Sequence, residues 1–367
     1  MVASYKYLLK QKLFYIIFYK NFLNKYCIVL SGEKLPCTVV VGGFWGDEGK
    51  GKIISYLALK DNIEVCARAG SVNAAHTVIH EGKALKLHMI PSGFVNKNCR
   101  LLLGAGVNIH VPQLLKEIKE TNAGNRLGID AQCSIIEEKH SIQDKTSAHL
   151  KGVIGTTGWG VGPAIEERVR RTAKLAKDIA ELKPYLTDVA MEVNNAIDEG
   201  KNVLLEGTQG LYLSLYHGTY PYVTGRDTSA SAVCSEIGIG PKKVDNVLVV
   251  FKAYVTRVGG GPLPNELPRE EIIRRGWLEI SGTGRERRAA PFNYELARRA
   301  VIINSATEAA VTKLDVIFPE CRKAKNYEEL PVEARNFIER IEAEIKVPVT
   351  LIGIGPSSLQ IIDRRSS

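Results

Sequence analysis

The segment from residue 37 to residue 59 constrains the fold most. CTVVVGGF (37–44) is a short β-branched run that ends in glycines, and it predicts a buried strand leading into a loop. GKIISYLAL (51–59) has the apolar spacing of a helix. A strand, a glycine-rich loop and a helix in this order can cradle phosphate, because backbone N–H groups and the helix N-terminus face the same anion.

The loop resembles a Walker A motif except at its last position. Residues 46–52 match G-x-x-x-x-G-K, but Ile53 stands where the motif has Ser or Thr. In a P-loop that hydroxyl holds Mg²⁺ beside the phosphates. Two carboxylates, Asp47 and Glu48, lie inside this loop, so the sequence raises the question of which group holds a metal.

Strand and helix signals alternate along the rest of the chain. Further strands are predicted within residues 63–70, 100–107, 202–210, 245–254, 309–315 and 347–355. Helices are predicted within residues 111–120, 174–186 and 335–345. This alternation predicts an α/β fold in which a single large domain, residues 37–367, has a mainly parallel central β-sheet flanked by helices. In such folds, ligands bind at the carboxyl ends of the strands.

The basic charge is concentrated at the N-terminus. Six Lys and one Glu give residues 1–36 a charge of +5, and +4 of the total of +9 remains for the other residues. This distribution argues against a nucleic-acid-binding face. The uncharged stretch 13–19 is shorter than the roughly 18 apolar residues of a membrane-spanning helix. We interpret residues 1–36 as a leader that is disordered, non-native or misassigned, and we expect no nucleic acid or membrane partner.

Cysteine usage suits a reducing compartment. The seven cysteines are scattered, without a C-x-x-C pair or a short Cys/His cluster. This pattern argues against a zinc site and a disulfide scaffold, and it predicts a cytoplasmic protein.

Several loops that follow predicted strands carry groups suited to nucleotides. They are GSVNAAHTV (70–78), IGTTGWGVGP (154–163), EGTQG (206–210), HGTYPYVTGRDT (217–228), SGTGRERR (281–288) and TKLD (312–315). Each is weak alone: a lone His after a strand is more often a satisfied histidine, and clustered arginines often form a solvated face. TKLD resembles the N-K-x-D guanine reader of GTPases.

Together these segments resemble one family. WGDEGKGK, NAAHT, GTTGWGVGP, EGTQG, HGTYPYVT, KAYVTRVGGGP, T-G-R-x-R and TKLD, in this order, are similar to adenylosuccinate synthetases of the compact archaeal type, over about residues 38–365. The resemblance implies that family's fold, with a P-loop-like phosphate loop. It also implies GTP-dependent ligation of L-aspartate to IMP through a 6-phosphoryl-IMP intermediate, giving adenylosuccinate, GDP and phosphate. One Mg²⁺ per subunit and a homodimer are implied as well.

The resemblance also implies roles for individual residues. Asp47 is implied as the proton acceptor and as a metal ligand that replaces the missing hydroxyl at Ile53, with the backbone carbonyl of Ala75 as a second ligand. His76 is implied as the proton donor, and Gln209 as a further catalytic residue. The implied GTP-binding positions are Gly46, Asp47, Glu48, Gly49, Lys50, Gly51, Lys52, Thr77, Arg287, Lys313, Leu314, Asp315, Gly353, Ile354, Gly355 and Pro356. The implied IMP-binding positions are Asp47, Lys50, Asn73, Ala74, Ala75, His76, Thr157, Gln209, Thr224, Arg285 and, from the partner subunit, Arg171. The implied aspartate-binding positions are Thr283, Gly284, Arg285 and Arg287.

Four residues depart from the family's pattern. Phe44, Ala75, Trp159 and Glu286 stand where the family commonly has Gln, Gly, Arg and Arg. Ala75 retains its carbonyl but resists positive φ, and the Glu286 carboxylate either points outward or weakens aspartate binding.

Two alternatives from other classes remain at this level. A GTPase-type switch uses the same phosphate and guanine readers, and GTP turnover that requires both IMP and aspartate separates it from a ligase. A basic nucleic-acid binder is the other alternative. If deletion of residues 1–34 abolishes retention on heparin, the affinity belongs to the leader.

Overall fold

Each of the seven segments that the sequence predicts as strands overlaps a strand, and the structure adds others that the sequence did not predict. The computed structural model describes residues 37–281 and 284–365. Its strands are β1 (Cys37–Gly42), β2 (Val65–Arg68), β3 (His76–His80), β4 (Lys83–Leu87), β5 (Arg100–Leu103), β6 (Asn108–Ile109), β7 (Leu127–Asp130), β8 (Ser134–Ile135), β9 (Leu186–Thr187), β10 (Val203–Glu206), β11 (Asn246–Lys252), β12 (Tyr254–Arg257), β13 (Arg288–Pro291), β14 (Glu308–Thr312), β15 (Val349–Gly353) and β16 (Ile361–Asp363).

Helices connect many of these strands. They are α1 (Lys50–Lys60), α2 (Val111–Thr121), α3 (Glu138–Thr146), α4 (Val161–Arg170), α5 (Val189–Asp198), α6 (Ala230–Ile237), α7 (Arg269–Arg274), α8 (Tyr294–Asn304), α9 (Leu314–Ile317) and α10 (Val332–Ile345). None of the helices among the described residues combines the length and apolar character needed to cross a membrane.

One ten-stranded sheet organises the described residues. Its strand order is β16-β15-β14-β11-β1-β10-β2-β5-β7-β9. All neighbouring strands are parallel except β15 and β16, which are antiparallel. The predicted α/β fold with a mainly parallel sheet is therefore confirmed.

Both faces of the sheet are covered, which explains why its central strands are almost continuously apolar. Along β1, Val39 and Val41 belong to one hydrophobic cluster, whereas Val40 belongs to a second cluster with Leu204 of β10. Because successive side chains of a strand point to opposite faces, these clusters are the two layers of core on either side of the sheet.

One predicted helix is wrong. Residues 174–186 do not form a single α-helix; they form two short 3₁₀ turns, Ala176–Asp178 and Ala180–Tyr185, followed by β9. Ile179 is extended between the turns, with φ −105° and ψ 117°. Pro184 lies in the second turn, where it lacks the N–H that a continuing α-helix needs. The predicted helices at 111–120 and 335–345 are confirmed within α2 and α10. The predicted leader, residues 1–36, and the predicted aspartate-binding Thr283 lie outside the described residues.

Candidate active site

The loop between β1 and α1 has the backbone that its glycines predict. Gly46 and Gly49 adopt φ of 87°, and α1 begins directly after Gly49, at Lys50. Asp47 also lies in the left-handed region, with φ of 60°. Such a conformation costs a non-glycine residue of the order of 1–3 kcal/mol and persists where the surrounding structure holds it. The loop therefore presents Asp47 in a fixed, strained position.

Glu48 explains why a second carboxylate occupies this loop. Its buried side chain accepts hydrogen bonds from the backbone N–H groups of Phe44, at 3.1 Å, and Gly46, at 2.8 Å. Its other oxygen is 2.7 Å from Nζ of Lys50, which also donates to the carbonyl of Gln209. The carboxylate of Glu48 thus organises the loop from within.

A cleft of about 970 Å³ opens at the carboxyl ends of the central strands. It is bordered by residues that follow β1, β2, β10, β14 and β15, as expected for a mainly parallel sheet. The predicted site residues that line it are Gly46, Asp47, Gly49, Lys50, Gly51, Lys52, Asn73, Ala74, Ala75, His76, Thr77, Thr157, Gln209, Thr224, Arg285, Arg287, Lys313, Asp315, Gly355 and Pro356.

Other predicted residues lie outside this lining. Leu314, Gly353 and Ile354 are buried beside it, and Glu48 is enclosed by the phosphate loop. Gly284 is exposed. Arg171 is exposed at the C-terminus of α4 and does not line the cleft of its own chain. Its predicted role toward the partner subunit stays a prediction.

His76 is held by a buried carboxylate that the sequence analysis did not single out. Nδ1 of His76 lies 2.5 Å from Oε1 of Glu206, and Nη1 of Arg68 lies 2.5 Å from the same oxygen. Glu206 also accepts hydrogen bonds from the N–H of Ser92, at 2.6 Å, and from its hydroxyl, at 2.9 Å. Nε2 of His76 is left without a hydrogen-bond partner among the described residues.

Burial and charge fix the protonation of this pair. Burial lowers the pKa of His76 to about 4, and Arg68 acts in the same direction. Burial alone raises the pKa of Glu206, but Arg68 and His76 outweigh it and lower that pKa to about 2. Because the Glu206 carboxylate can only accept, Nδ1 of His76 carries the proton between them. The ring is therefore oriented with Nε2 as its available atom.

Removing the charge of Glu206 is expected to destabilise the protein strongly. Glu206→Gln leaves the buried Arg68 guanidinium without its anion, and the free energy of unfolding should fall by about 3–5 kcal/mol. Denaturant unfolding measures this change. Glu192→Gln is the matched control, because Glu192 pairs with Arg100 at 2.6 Å where both side chains are about one-third exposed. That variant should lose at most about 1 kcal/mol. Equal losses in the two variants would contradict the account of Glu206.

Asp47 is paired with an arginine of the loop before β13. Its Oδ2 lies 2.9 Å from Nη1 of Arg287, and the same nitrogen lies 3.0 Å from Oε2 of Glu279. Oδ1 of Asp47 accepts no hydrogen bond from the described residues. The predicted proton acceptor and an arginine of the predicted aspartate-binding loop are thus in direct contact.

Gln209 connects two of the other predicted loops. Its Nε2 donates to Oδ1 of Asn73 at 3.2 Å and to Oγ1 of Thr224 at 3.4 Å. Gln209 has φ of 59°, and its carbonyl accepts from the ammonium group of Lys50. A Cβ on Gly42 would lie 2.4 Å from that carbonyl, so glycine is needed where β1 meets this turn.

Thr312, Lys313 and Asp315 of the TKLD segment line the same cleft. Asp315 is buried, and its Oδ2 accepts from Nε of Arg322 at 3.0 Å. Nζ of Lys52 donates to the carbonyls of Gly355, at 2.5 Å, and Gln360, at 2.7 Å. Burial lowers the pKa of Lys52 to about 8, although Asp315 opposes that shift. Lys52 therefore fastens the phosphate loop to the turn after β15.

Three of the four departures from the family's pattern fit the structure without conflict. Glu286 points outward, where its carboxylate accepts two hydrogen bonds of 2.8 Å from Arg269. Trp159 packs between the rings of His88 and His110, with centroids 5.4 and 5.3 Å away. Ala75 does not adopt positive φ. Alanine at this position therefore carries no conformational cost relative to glycine.

A cluster of possible metal ligands lies apart from the cleft. Glu137, His140 and Glu167 bring ligand-type atoms within 4.8 Å of one another. Nζ of Lys139 lies 3.1 Å from Glu137 and 2.8 Å from Glu167, so an ammonium group already balances these carboxylates. Nδ1 of His140 accepts from the N–H of Glu137 at 3.0 Å. We assign no metal to this cluster.

The fold and the cleft define a class of protein: an α/β protein in which a glycine-rich loop of the P-loop type and a buried aspartate border one cleft at the carboxyl ends of a mainly parallel sheet. The sequence model of the family described as "Adenylosuccinate synthetase" matches residues 39–183 and 173–319. The chain belongs to the adenylosuccinate synthetase family.

Individual relatives agree with this membership. The chain is 52% identical to an adenylosuccinate synthetase from Pyrococcus horikoshii over 91% of this chain and 100% of the relative, and 52% identical to one from Methanocaldococcus jannaschii over 90% and 98%. A solved structure of fully ligated adenylosuccinate synthetase from Plasmodium falciparum superposes with a TM-score of 0.83 and 27% identity, and the match covers 90% of this chain and 100% of that one. The chain is therefore a ligase of purine biosynthesis, which joins IMP to aspartate and consumes GTP.

Proposed function

We propose that this cleft binds GTP, IMP and L-aspartate together and that Asp47 and His76 carry the chemistry between them. The observation that carries the proposal is that Asp47, His76, Gln209, Arg287 and Asp315, which come from five separate segments, line one cleft. A simple GTPase needs neither the arginine loop, residues 281–288, nor the linked side chains of Asn73, Gln209 and Thr224.

GTP lies along the phosphate loop in this proposal. Asp315 and Lys313 bracket the guanine, and the backbone N–H groups of residues 46–52 hold the phosphates, with Lys50 and Lys52 as cations. The hydrogen bond of 2.6 Å from Thr312 to the carbonyl of Glu48 supports this arrangement, because it ties the base-reading segment to the phosphate loop.

IMP lies beside Asn73, Gln209 and Thr224, which a hydrogen-bond network already links. Asp47 accepts the proton from N1 of IMP, and the electron pair moves to the 6-oxygen. That oxygen attacks the γ-phosphorus of GTP, and GDP leaves. The amine of aspartate then attacks carbon 6, and inorganic phosphate departs with the former 6-oxygen. Such general-base help is typically worth about 10²- to 10⁴-fold in rate.

His76 stabilises the phosphoryl group during its transfer. Glu206 holds Nδ1, so Nε2 is the atom that can donate to a phosphoryl oxygen when the ring is protonated. The low pKa of His76 belongs to the cleft without phosphate, and nearby negative charge favours the protonated form. Donors aimed at developing charge are among the largest contributions to phosphoryl transfer.

The residues in the cleft fit one Mg²⁺ per subunit. Asp47 has an oxygen without a hydrogen bond from the described residues, and a carboxylate with a backbone carbonyl, here that of Ala75, is the oxygen-ligand set that Mg²⁺ prefers. When bound, Mg²⁺ would neutralise charge on the phosphates. Arg287 would leave Asp47 when IMP and Mg²⁺ together occupy both oxygens of this carboxylate, because the guanidinium group now pairs with one of them.

Aspartate is bound by the arginine loop, with Thr283, Gly284, Arg285 and Arg287 as its residues. Nη1 of Arg285 donates to the carbonyl of Gly155 at 2.8 Å, which anchors the loop against the segment that carries Thr157. A guanidinium fork can grip a carboxylate in two bonds. The α-carboxylate or β-carboxylate of the substrate is the expected partner.

The functional unit is proposed to be a cytoplasmic homodimer. Arg171 is exposed and does not line the cleft of its own chain, which suits a residue that reaches the 5′-phosphate of IMP in the partner subunit. The six cysteines of the described residues are free and buried, which suits a reducing compartment.

An omission assay tests the proposal. Purified protein with Mg²⁺, GTP, IMP and aspartate should form adenylosuccinate, and omission of any one component should stop it. GTP hydrolysis at an undiminished rate without IMP or aspartate would instead identify a GTPase-type switch.

A further inference from the structure

Glu279 is a nearly buried carboxylate that lines the cleft but has no role in the scheme above. It lies between α7 and β13, and its side chain is 16% exposed. Two buried groups hold the carboxylate of Glu279. Nζ of Lys252 lies 3.1 Å from Oε2, and the hydroxyl of Tyr254 donates to Oε1 at 2.5 Å. Lys252 and Tyr254 are buried and do not line the cleft.

Two further cations reach Glu279 from the cleft side. Nη1 of Arg287 lies 3.0 Å from Oε2, and Nζ of Lys313 lies 3.4 Å from Oε1. Arg287 belongs to the aspartate-binding loop and Lys313 to the guanine-reading segment. One carboxylate therefore touches a residue of the proposed aspartate site and a residue of the proposed GTP site.

The carboxyl group of Glu279 is held in its charged form by the neighbouring cations. Burial raises its pKa, but Lys252 and Lys313 outweigh this effect and lower the pKa to about 2, with help from Tyr254 and Arg287. The carboxylate is thus ionised at neutral pH. An ionised acceptor makes hydrogen bonds roughly twice as strong as a neutral one.

The contact between Arg287 and Asp47 shows why a second anchor matters. Nη1 of Arg287 is shared between Asp47 and Glu279. In the proposed reaction Asp47 must turn to IMP and to the metal, and Glu279 is then the carboxylate that still holds the guanidinium group. Without Glu279, Arg287 would either stay on Asp47 or lose its orientation.

We propose that Glu279 is a positioning residue that holds Arg287 for the substrate aspartate and Lys313 for guanine. The inference rests on the proposed roles of those two residues. Glu279 touches no substrate in this account and acts only through its cationic neighbours.

The test is a steady-state comparison of Glu279→Gln with the unaltered protein. The amide keeps the shape but loses the charge. We expect the KM for aspartate to rise by about ten- to a hundredfold, the range for losing a hydrogen bond to a charged group. The KM for GTP should rise less, because Lys313 is half exposed and its contact is longer, and the KM for IMP should stay unchanged. A general structural defect would not separate the three substrates in this way.

Glu286→Gln is the matched control. Glu286 lies on the same loop and pairs with an arginine, but it does so at the surface, with Arg269. This variant should leave all three KM values unchanged. Equal shifts in both variants would overturn the proposal.

Glu279→Asp provides a second test if the amide variant does not fold. It keeps the charge but withdraws it from Arg287 by one methylene, so the KM for aspartate should still rise more than that for IMP. An unchanged KM for aspartate in every folded variant, or an equal rise for all three substrates, overturns the role of Glu279. Failure of the unaltered protein to form adenylosuccinate would instead refute the proposed function.

Discussion

Asp47→Asn is expected to lower turnover by at least about a thousandfold while the fold and most of the IMP affinity remain. The amide cannot accept the N1 proton, and it is a poor metal ligand. The size combines the upper range of general-base effects with the loss of a ligand. The oxygen that pairs with Arg287 is not essential for the fold, because Glu279 also holds that arginine.

Single-turnover formation of adenylosuccinate measures the loss, and thermal unfolding checks the fold. Asp198→Asn is a suitable control, because Asp198 pairs with Lys243 at 2.7 Å on an exposed surface outside the cleft. It should be fully active. Near-normal turnover of Asp47→Asn would remove Asp47 from the mechanism.

Asp315→Asn is expected to change the choice of nucleotide. Guanine presents N1–H and a 2-amino group, and the two oxygens of Asp315 can accept from both. Adenine has no such pair of donors, so ATP would leave a buried carboxylate unpaired, and sites of this kind can reject an analogue by about 10⁴-fold. The asparagine replaces one acceptor with an amide donor, which suits the 2-oxygen of xanthine. The variant should lose most GTP affinity and use XTP, with little change for IMP and aspartate.

Arg322→Ala separates base reading from the ion pair. Arg322 donates to Asp315 at 3.0 Å, and its side chain is 58% exposed. Its removal should preserve the preference for GTP over ATP, because both oxygens of Asp315 remain acceptors. Use of ATP by the unaltered protein, or full GTP affinity in Asp315→Asn, would show that Asp315 does not read the base.

The sheet was predictable because its central strands are buried on both faces. Apolar runs such as residues 202–210 and 245–254 indicate strands without any tertiary information, and they became β10 and β11. The prediction of a helix at 174–186 was wrong because it relied on the apolar spacing and gave too little weight to Pro184. This proline interrupts the hydrogen bonding of a longer α-helix. In a parallel sheet the residues that follow the strands meet at one edge, so the gathering of Asp47 and His76 in one cleft was also predictable.

The carboxylates that hold these residues were harder to predict. Glu206 contacts His76 across 130 positions of sequence, and Glu279 contacts Lys252 across 27. Pairings of that kind depend on which strands become neighbours, which local patterns do not specify. A weak signal existed for Glu206 and Arg68: each is a charged residue that ends an otherwise apolar strand, VLLE or VCAR. Buried charges are rare unless they are paired, so such strand ends indicate a polar network.

The two carboxylates of the phosphate loop show a different limit of prediction from sequence. The sequence indicated that the phosphate loop contains two carboxylates, but it could not distinguish the one that faces the cleft from the one that faces the loop. The structure makes that distinction, because Glu48 is buried within the loop and Asp47 lines the cleft. Glu48 then completes the hydrogen bonds of the loop, and Asp47 remains available for chemistry.

The most direct test of the mechanism follows the 6-oxygen of IMP. IMP labelled with ¹⁸O at that position should be converted with GTP and aspartate, and the released inorganic phosphate should be analysed by mass spectrometry. If Asp47 activates the 6-oxygen for attack on GTP, each phosphate carries one ¹⁸O atom from IMP. Phosphate without the label would contradict the account, because the 6-oxygen would then have left carbon 6 without being phosphorylated.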